Sequence, residues 1–354
     1  MCEEGALLLR CLLISLAAVL PATAAVAIEF ETVRHTLRAA AYDLIERDGS
    51  VVIEIAGGPV YRVGLADGRL SFEPDIPDIS HTKPADALPD TEISRGSGSI
   101  RSAWLASPTE RYGHGVLGDA IEAGAVIAKL ADGSMARFDL GADAVFEDRM
   151  VRIVDMDGDG SDELLVVKSF LSAGAAMTLL AVKDGELVIA AEAPAIGMAN
   201  RWLNPIGVAD FDGDGRFEAA AVITPHIGGT LKLYERRGGN LVEDHAQFGF
   251  SNHAMGSRVL ALAAIVDVNG DRVPDIVVPD AGRRNLLVVT FAQGTYRELA
   301  RWPIAGRLAK GVVAADLDGD GDDEIVYGDG ERRLNVGRLE EFPIFPRSVR
   351  IRVI

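Results

Sequence analysis

The chain has two cysteines, Cys2 and Cys11, both at the extreme N-terminus. No disulfide framework and no cysteine-based metal or nucleophile site exists beyond them. Its six histidines stand at 35, 81, 114, 226, 245 and 253, with no HxH or HxxxH spacing, which argues against a zinc site. There is no G-x-S-x-G and no P-loop, and no carboxylate pair singles itself out for glycoside chemistry. Positive charge is scarce: Lys and Arg number 35 against 53 Asp and Glu, a formal net charge of −18. So acidic a chain is not expected to bind nucleic acid or an anionic membrane surface. No long helical run stands out; the stretch Thr32–Arg47 is only mildly amphipathic and is read as a short helix.

What the chain has is repetition. Asp155 to Glu163 reads DMDGDGSDE, and it returns as Asp210 to Glu218 (DFDGDGRFE), Asp267 to Asp275 (DVNGDRVPD) and Asp316 to Glu324 (DLDGDGDDE). The starts lie 49 to 57 residues apart, a period that means a stacked or radial array. Each copy sits between two apolar segments rich in Val, Ile, Leu and Ala, which read as buried strands.

The nine residues have the chemistry of a calcium loop. Calcium takes roughly six to eight oxygen ligands. The expected ligands are Asp155, Asp157, Asp159, Ser161 and Glu163 in the first copy, and Asp210, Asp212, Asp214, Arg216 and Glu218 in the second. The third offers Asp267, Asn269, Asp271, Val273 and Asp275, and the fourth Asp316, Asp318, Asp320, Asp322 and Glu324. The seventh position in each set contributes its backbone carbonyl. Glycines at the fourth position, and at the sixth in three copies, let the backbone curl through positive φ. Arg272 replaces the sixth-position glycine of the third copy, and Asn269 replaces its third-position Asp, so that site is expected to be the weakest. An EF-hand is excluded, since it needs a Glu at position 12 and flanking helices. Position 12 here is Val166, Ala221, Val278 or Tyr327. About four Ca2+ ions are expected, each stapling its own repeat, and together they would offset nearly half of the net negative charge.

This pattern resembles the FG-GAP/VCBS-type calcium-binding repeats of β-propellers, found in integrin alpha-subunit heads and in many exported bacterial proteins. The resemblance covers about 150 to 330 and implies that each loop joins the first and second strands of a blade. No Phe-Gly/Gly-Ala-Pro pair frames the copies, which departs from the integrin form.

The rest of the chain is read on that frame. Residues 1–27 read as a signal peptide: an apolar stretch from Cys11 to Leu20, then Pro21 and small residues suited to cleavage after Ala24 or Ala27. An uncleaved anchor is the competing reading. Residues 28–354 are expected to form one all-β domain, a propeller of four-stranded antiparallel blades, about six of them, with seven possible. In it, 28–150 would hold degenerate blades and 151–340 the calcium-loop blades. Strands are expected at 50–56, 60–65 and 69–73, with an exposed loop over 74–99. His114–Asp119 and Ala125–Leu130 are read as the first two strands of a second degenerate blade, followed by Met135–Leu140. The chain ends, near Ala27–Arg34 and Ser348–Ile354, are expected to share a blade and close the ring.

A fainter pattern concerns ligands. Arg201, Arg258 and Arg307 each stand nine residues before the first Asp of a loop, and Lys310 stands six before. They precede the first strand of a blade and so belong to the end opposite the calcium loops. With Trp202 and His253 nearby, they suit an anionic or sugar-like ligand. The bland alternative is that these arginines pair with acids of adjacent blades. The functional expectation is a periplasmic or secreted binding module for an unknown protein or glycan, without membrane insertion after signal cleavage. A polysaccharide-active, lyase-like enzyme working in the propeller channel is the alternative.

Overall fold

The structure, a computed structural model, describes residues 30–37, 42–47, 49–75, 83–329 and 332–339. The expected signal peptide and the tail at 348–354 lie outside these residues. Within them the chain is all-β, apart from two single-turn 3-10 segments at Pro225–Ile227 and Ala292–Gly294.

After a first strand, β1 (Phe30–Thr36), the chain makes six successive groups of strands. The first is β2 (Tyr42–Arg47), β3 (Ser50–Ile55), β4 (Val60–Ala66) and β5 (Arg69–Asp75), and the second is β6 (Ser94–Arg95), β7 (Ile100–Thr109), β8 (Glu122–Leu130) and β9 (Met135–Asp139). A linking strand, β10 (Ala144–Phe146), leads to the third group, β11 (Arg152–Val154), β12 (Glu163–Phe170), β13 (Gly174–Lys183) and β14 (Glu186–Glu192). The fourth group is β15 (Leu203–Ala209), β16 (Glu218–Ile223), β17 (Gly229–Arg237) and β18 (Asn240–Phe250). The fifth is β19 (Ala264–Val266), β20 (Asp275–Pro279), β21 (Asn285–Thr290) and β22 (Arg297–Pro303). The sixth is β23 (Leu308–Ala315), β24 (Glu324–Asp329) and β25 (Arg333–Leu339).

Every group pairs antiparallel in sequence order. The sixth takes its fourth strand from the start of the chain: β1 lies against β25 with Val33 opposite Val336. The ends of the fold therefore share a sheet, as expected, but through 333–339. The helix expected at Thr32–Arg47 is not formed, because β1 and β2 occupy it. Val33 on β1 and Leu44 on β2 join the same apolar cluster, so side-chain packing overrides a weak helical pattern. His114–Asp119 is likewise not a strand. The inner and second strands of the second group are β6 and β7, and 110–121 is the connection from β7 to β8.

The second strands explain the uninterrupted apolar runs. On β20, Ile276 and Val278 pack toward the fourth group and Val277 toward the sixth. On β12, Leu164 and Val166 face the second group and Leu165 and Val167 the fourth. A strand buried on both faces has no polar side, which is why it loses the alternation of a half-buried strand. The clusters thus lie between successive sheets rather than within any one of them. The first strands of the groups are neighbours in series: β6 beside β11, then β15, β19, β23 and β2.

Candidate calcium loops and the opposite arginine-bearing end

Each acidic loop runs from a first strand to a second strand and is tied down in the same way. The second residue points into the core in three of them: Met156, Phe211 and Val268 are buried. The backbone N–H of the second residue donates to the ninth-position carboxylate in all four loops. These bonds run from Met156 to Glu163 at 2.9 Å, Phe211 to Glu218 at 2.9 Å, Val268 to Asp275 at 3.1 Å and Leu317 to Glu324 at 2.8 Å. The first Asp accepts from later amides: Asp210 takes Gly213 N–H at 2.8 Å and Gly215 N–H at 3.0 Å. The fifth-position Asp caps the seventh amide, as Asp159 does for Ser161 at 2.7 Å. The carboxylates thus fold the loop around themselves, with both oxygens of Asp155, Asp210 and Asp267 accepting backbone amides.

Positive φ falls where the sequence demands it. Gly158, Gly213, Gly270 and Gly319 have φ of 71–81°, and Arg272 is held at 71° in the place of a glycine. A side chain in that region costs about 1–2 kcal/mol.

The donor set fits a hard divalent cation. Carboxylate oxygens of Asp155, Asp157 and Glu163 converge within 4.8 Å of one another, as do those of Asp210, Asp212 and Glu218 and of Asp316, Asp318 and Asp320. The third loop gathers no such trio of carboxylates among the described residues, in keeping with its Asn269. It does contain Asp275, fully buried, whose Oδ1 has no hydrogen-bond partner. An orphaned buried carboxylate oxygen is costly unless a cation takes it. Burial and crowding by neighbouring loop acids raise Glu218 and Asp275 to about 8 each, against the pull of their backbone donors and, for Asp275, first of the Thr290 hydroxyl. Asp159, Asp214, Asp267, Asn269, Asp271 and Glu324 complete the expected side-chain sets by position, with the carbonyls of Ser161, Arg216, Val273 and Asp322. Two arginines already answer the charge: Arg236 of β17 lies 2.8 Å from Asp157 and 3.2 Å from Glu163, and Arg216 pairs with Asp214 and Glu235. Sequence spacing gave no hint of Arg236, which comes from the neighbouring group.

The residues preceding the first strands lie at the other end of those strands. Arg258 is ion-paired with Asp119 at 3.0 Å. Arg201 donates to the Asn200 carbonyl at 3.2 Å, and neither it nor the exposed Arg307 has a carboxylate within ion-pair distance among the described residues. Lys310 lies over the Tyr42 ring, 5.3 Å from its centroid. Trp202 and His253 are buried, not surface groups. The Trp202 indole N–H donates to the Glu147 carbonyl at 2.8 Å, and its ring stacks on His226 at 6.0 Å. His226 Nε2 and His253 Nδ1 are 2.7 Å apart, and His253 Nε2 is 3.0 Å from the Ser257 carbonyl. Burial lowers both imidazoles to about 4, so both are neutral near pH 7.

The 110–121 segment covers this histidine–tryptophan cluster. Its Val116 and Leu117 are buried in the same core as Trp202 and Leu260. Its Tyr112 hydroxyl accepts from Asn200 N–H at 2.9 Å, and its Val116 carbonyl accepts from Gly256 N–H at 2.9 Å. His114 reaches Glu147 at 2.5 Å, and Ser169 donates to the other oxygen of that acid. Glu147 is wholly buried, and its pKa is raised by that burial. Nearby Glu122 is pushed up to about 9, first by burial and then by the charge of Glu147. Arg283 and Arg284, in the turn from β20 to β21, also belong to this end and were not signalled by the nine-residue offset, because they follow a second strand rather than precede a first one.

Residues 267–327, from the third loop to the second strand of the sixth group, match the FG-GAP-like repeat family. No curated protein matches the chain. Among solved structures it is similar to the rhamnogalacturonan lyase YesW, with 16% identity, a TM-score of 0.38, and coverage of 81% of this chain and 57% of that one. It is similar to a Bacillus licheniformis rhamnogalacturonan lyase, with 17% identity, a TM-score of 0.38, and coverage of 86% of this chain and 55% of that one. A third is BBS1N in complex with ARL6DN, with 11% identity, a TM-score of 0.42, and coverage of 86% and 93%. The chain spans little more than half the length of the two lyases. It is an all-β protein that carries an FG-GAP-like repeat.

Proposed function

We propose that this chain is an exported, calcium-stabilised β-propeller of six blades that acts as a binding module for an anionic ligand at the end opposite its calcium loops. Six groups of four antiparallel strands, with first strands in series, support the blade count. The pairing of β1 with β25 supports a ring fastened by its own N-terminal strand. Export rests on the apolar N-terminal segment, and periplasmic or secreted localisation follows from it.

Calcium has a structural role in this reading. The loops are closed by their own ligands and lie at one end, whereas a ligand would meet the other. The observation that carries the binding reading is the placement of Arg201 and Arg307 at that other end with no carboxylate partner among the described residues. Unpaired guanidiniums in so acidic a chain favour a ligand with carboxylate, sulfate or phosphate groups. The cover that 110–121 lays over Trp202 and His253 supports recognition on a surface rather than chemistry in a deep channel.

The test is binding of short oligomers of glutamate and of galacturonate to calcium-loaded protein at fixed salt, for the wild type and for Arg201→Ser/Arg307→Ser. Loss of binding with an unchanged melting temperature supports the proposal. Equal binding by the variant, or none by the wild type, contradicts it.

A further inference from the structure

Three arginines meet where the fifth group touches the sixth. Arg283 and Arg284 form the turn after β20, and Arg307 leads into β23. Backbone bonds fasten the two segments, from Leu308 N–H to the Arg283 carbonyl at 2.8 Å and from Ile304 N–H to the Arg284 carbonyl at 2.7 Å. None of the three has a carboxylate within ion-pair distance among the described residues. Arg283 donates to the His253 carbonyl at 2.8 Å, its buried Nε has no partner, and its pKa is lowered by burial and by the charge of Arg307. Acids at this end are already engaged: Asp119 with Arg258, Asp90 with Arg149, Asp329 with Arg333, and Asp280 with amides of its own turn. A knot of like charge is thus held together inside a protein of net charge −18.

Apolar surface adjoins it. Six large hydrophobic side chains are exposed among the described residues, and four of them, Met198, Ile227, Phe248 and Met255, belong to segments at this end of the fourth group or just beyond it. The two segments are joined through backbone: Ala281 N–H, two residues before Arg283, donates to the carbonyl of Gly249, next to Phe248, at 2.8 Å. The Phe248 ring lies over Gly228, where an added Cβ would meet it at 3.0 Å. Ile227 follows His226, which bonds His253, whose carbonyl bonds Arg283.

We infer that this band docks a short acidic polypeptide segment bearing apolar side chains. The inference rests on the reading of this end as a binding surface, and names its partner. Carboxylates would pair with Arg284 and Arg307, where the planar guanidinium favours bidentate geometry. Apolar side chains would cover Phe248, Ile227 and the adaptable methionines, surface that a monomer rarely leaves bare. A long, uniformly charged polyanion would run past the band onto acidic surface and be repelled. That favours a short acidic stretch with apolar neighbours over a glycan chain.

The test uses the full calcium-loaded protein and fluorescence anisotropy. The probe is a fluorescein-labelled peptide of alternating Glu and Leu, beside versions with Ser for every Leu and Lys for every Glu, and beside polygalacturonate. The Glu–Leu peptide is expected to bind about tenfold tighter than the Glu–Ser peptide, and the Lys–Leu peptide not to bind. Arg284→Ser/Arg307→Ser, both exposed positions, should weaken the Glu–Leu peptide about tenfold. Ile227→Ser/Phe248→Ser should erase the advantage of Leu over Ser and leave the Glu–Ser peptide as it was. Glu–Ser peptide or polygalacturonate binding as tightly as the Glu–Leu peptide overturns the polypeptide partner while the anionic-ligand reading stands. Failure of every polyanion to bind overturns both.

Discussion

Arg258 and Asp119 are joined at 3.0 Å across sequence that separates the approach to the fifth group from the connection inside the second. The bond fixes one end of the 110–121 cover and takes Arg258 out of the set of arginines available to a ligand. Both side chains are substantially exposed, so its worth is small, roughly 0.2–1 kcal/mol. Arg258→Ala should therefore lower stability by no more than about 1 kcal/mol and leave anion binding intact. A double-mutant cycle with Asp119→Ala checks this; a coupling well above that range would mean that the cover hangs on this one contact.

Arg272 gives a second prediction. Its φ of 71° suits glycine. Arg272→Gly should stabilise the calcium-loaded protein by about 1 kcal/mol, read from denaturant unfolding. Asp210→Ala should cost more than Asp267→Ala, because the 210 loop gathers three carboxylates and the 267 loop has Asn269 in place of one. A larger loss at 267 would reverse the ranking of the sites.

Glu122 gives a pH dependence. Its carboxyl is raised to about 9, mainly by burial, so the folded chain keeps a proton that the unfolded chain releases from about pH 4.5 upward. A group raised in this way favours the unfolded state increasingly as pH climbs, until the folded pKa is passed. Its contribution to stability is therefore best near or below pH 4.5 and falls by at most about 1.4 kcal/mol per pH unit until about pH 9. Glu122→Gln should flatten the decline between pH 6 and pH 8 at fixed calcium. An unchanged slope would show that this acid does not hold its proton.

Val33 and Val336 face each other in the pairing of β1 with β25. Cysteines at both positions should form a disulfide on oxidation and raise stability by about 2–4 kcal/mol, with reduction reversing the gain. Failure to form it would place β1 elsewhere.

The loops and second strands were legible in the sequence because their causes are local. Alternate carboxylates, glycines at fixed places and runs such as Leu164–Val167 carry their own geometry. The strands β3, β4 and β5 were also readable, since alternation and the glycine turns between them mark them. What failed was decided by distant partners. Thr32–Arg47 looked faintly helical until Val33 found Val336. His114–Asp119 has strand-like residues, but Val116 and Leu117 are buried beside Trp202 as a cover. The arginine offset found Arg201 and Arg307 but could not know that Asp119 would take Arg258, nor that Arg283 and Arg284 would reach the same end from another strand.

Calcium ligation by the loops is the claim on which the rest depends, and melting with and without metal tests it most directly. With an affinity of about 0.1 mM per loop, about 1 mM calcium would add roughly 1.4 kcal/mol at each site, or about 5–6 kcal/mol for four. That rivals the net stability of a whole domain. Protein with its bound metal counted by atomic emission should carry three to four calcium ions, roughly one per loop, and lose many degrees of melting temperature in excess chelator. An unchanged melt in chelator, on protein shown beforehand to be loaded, would contradict it.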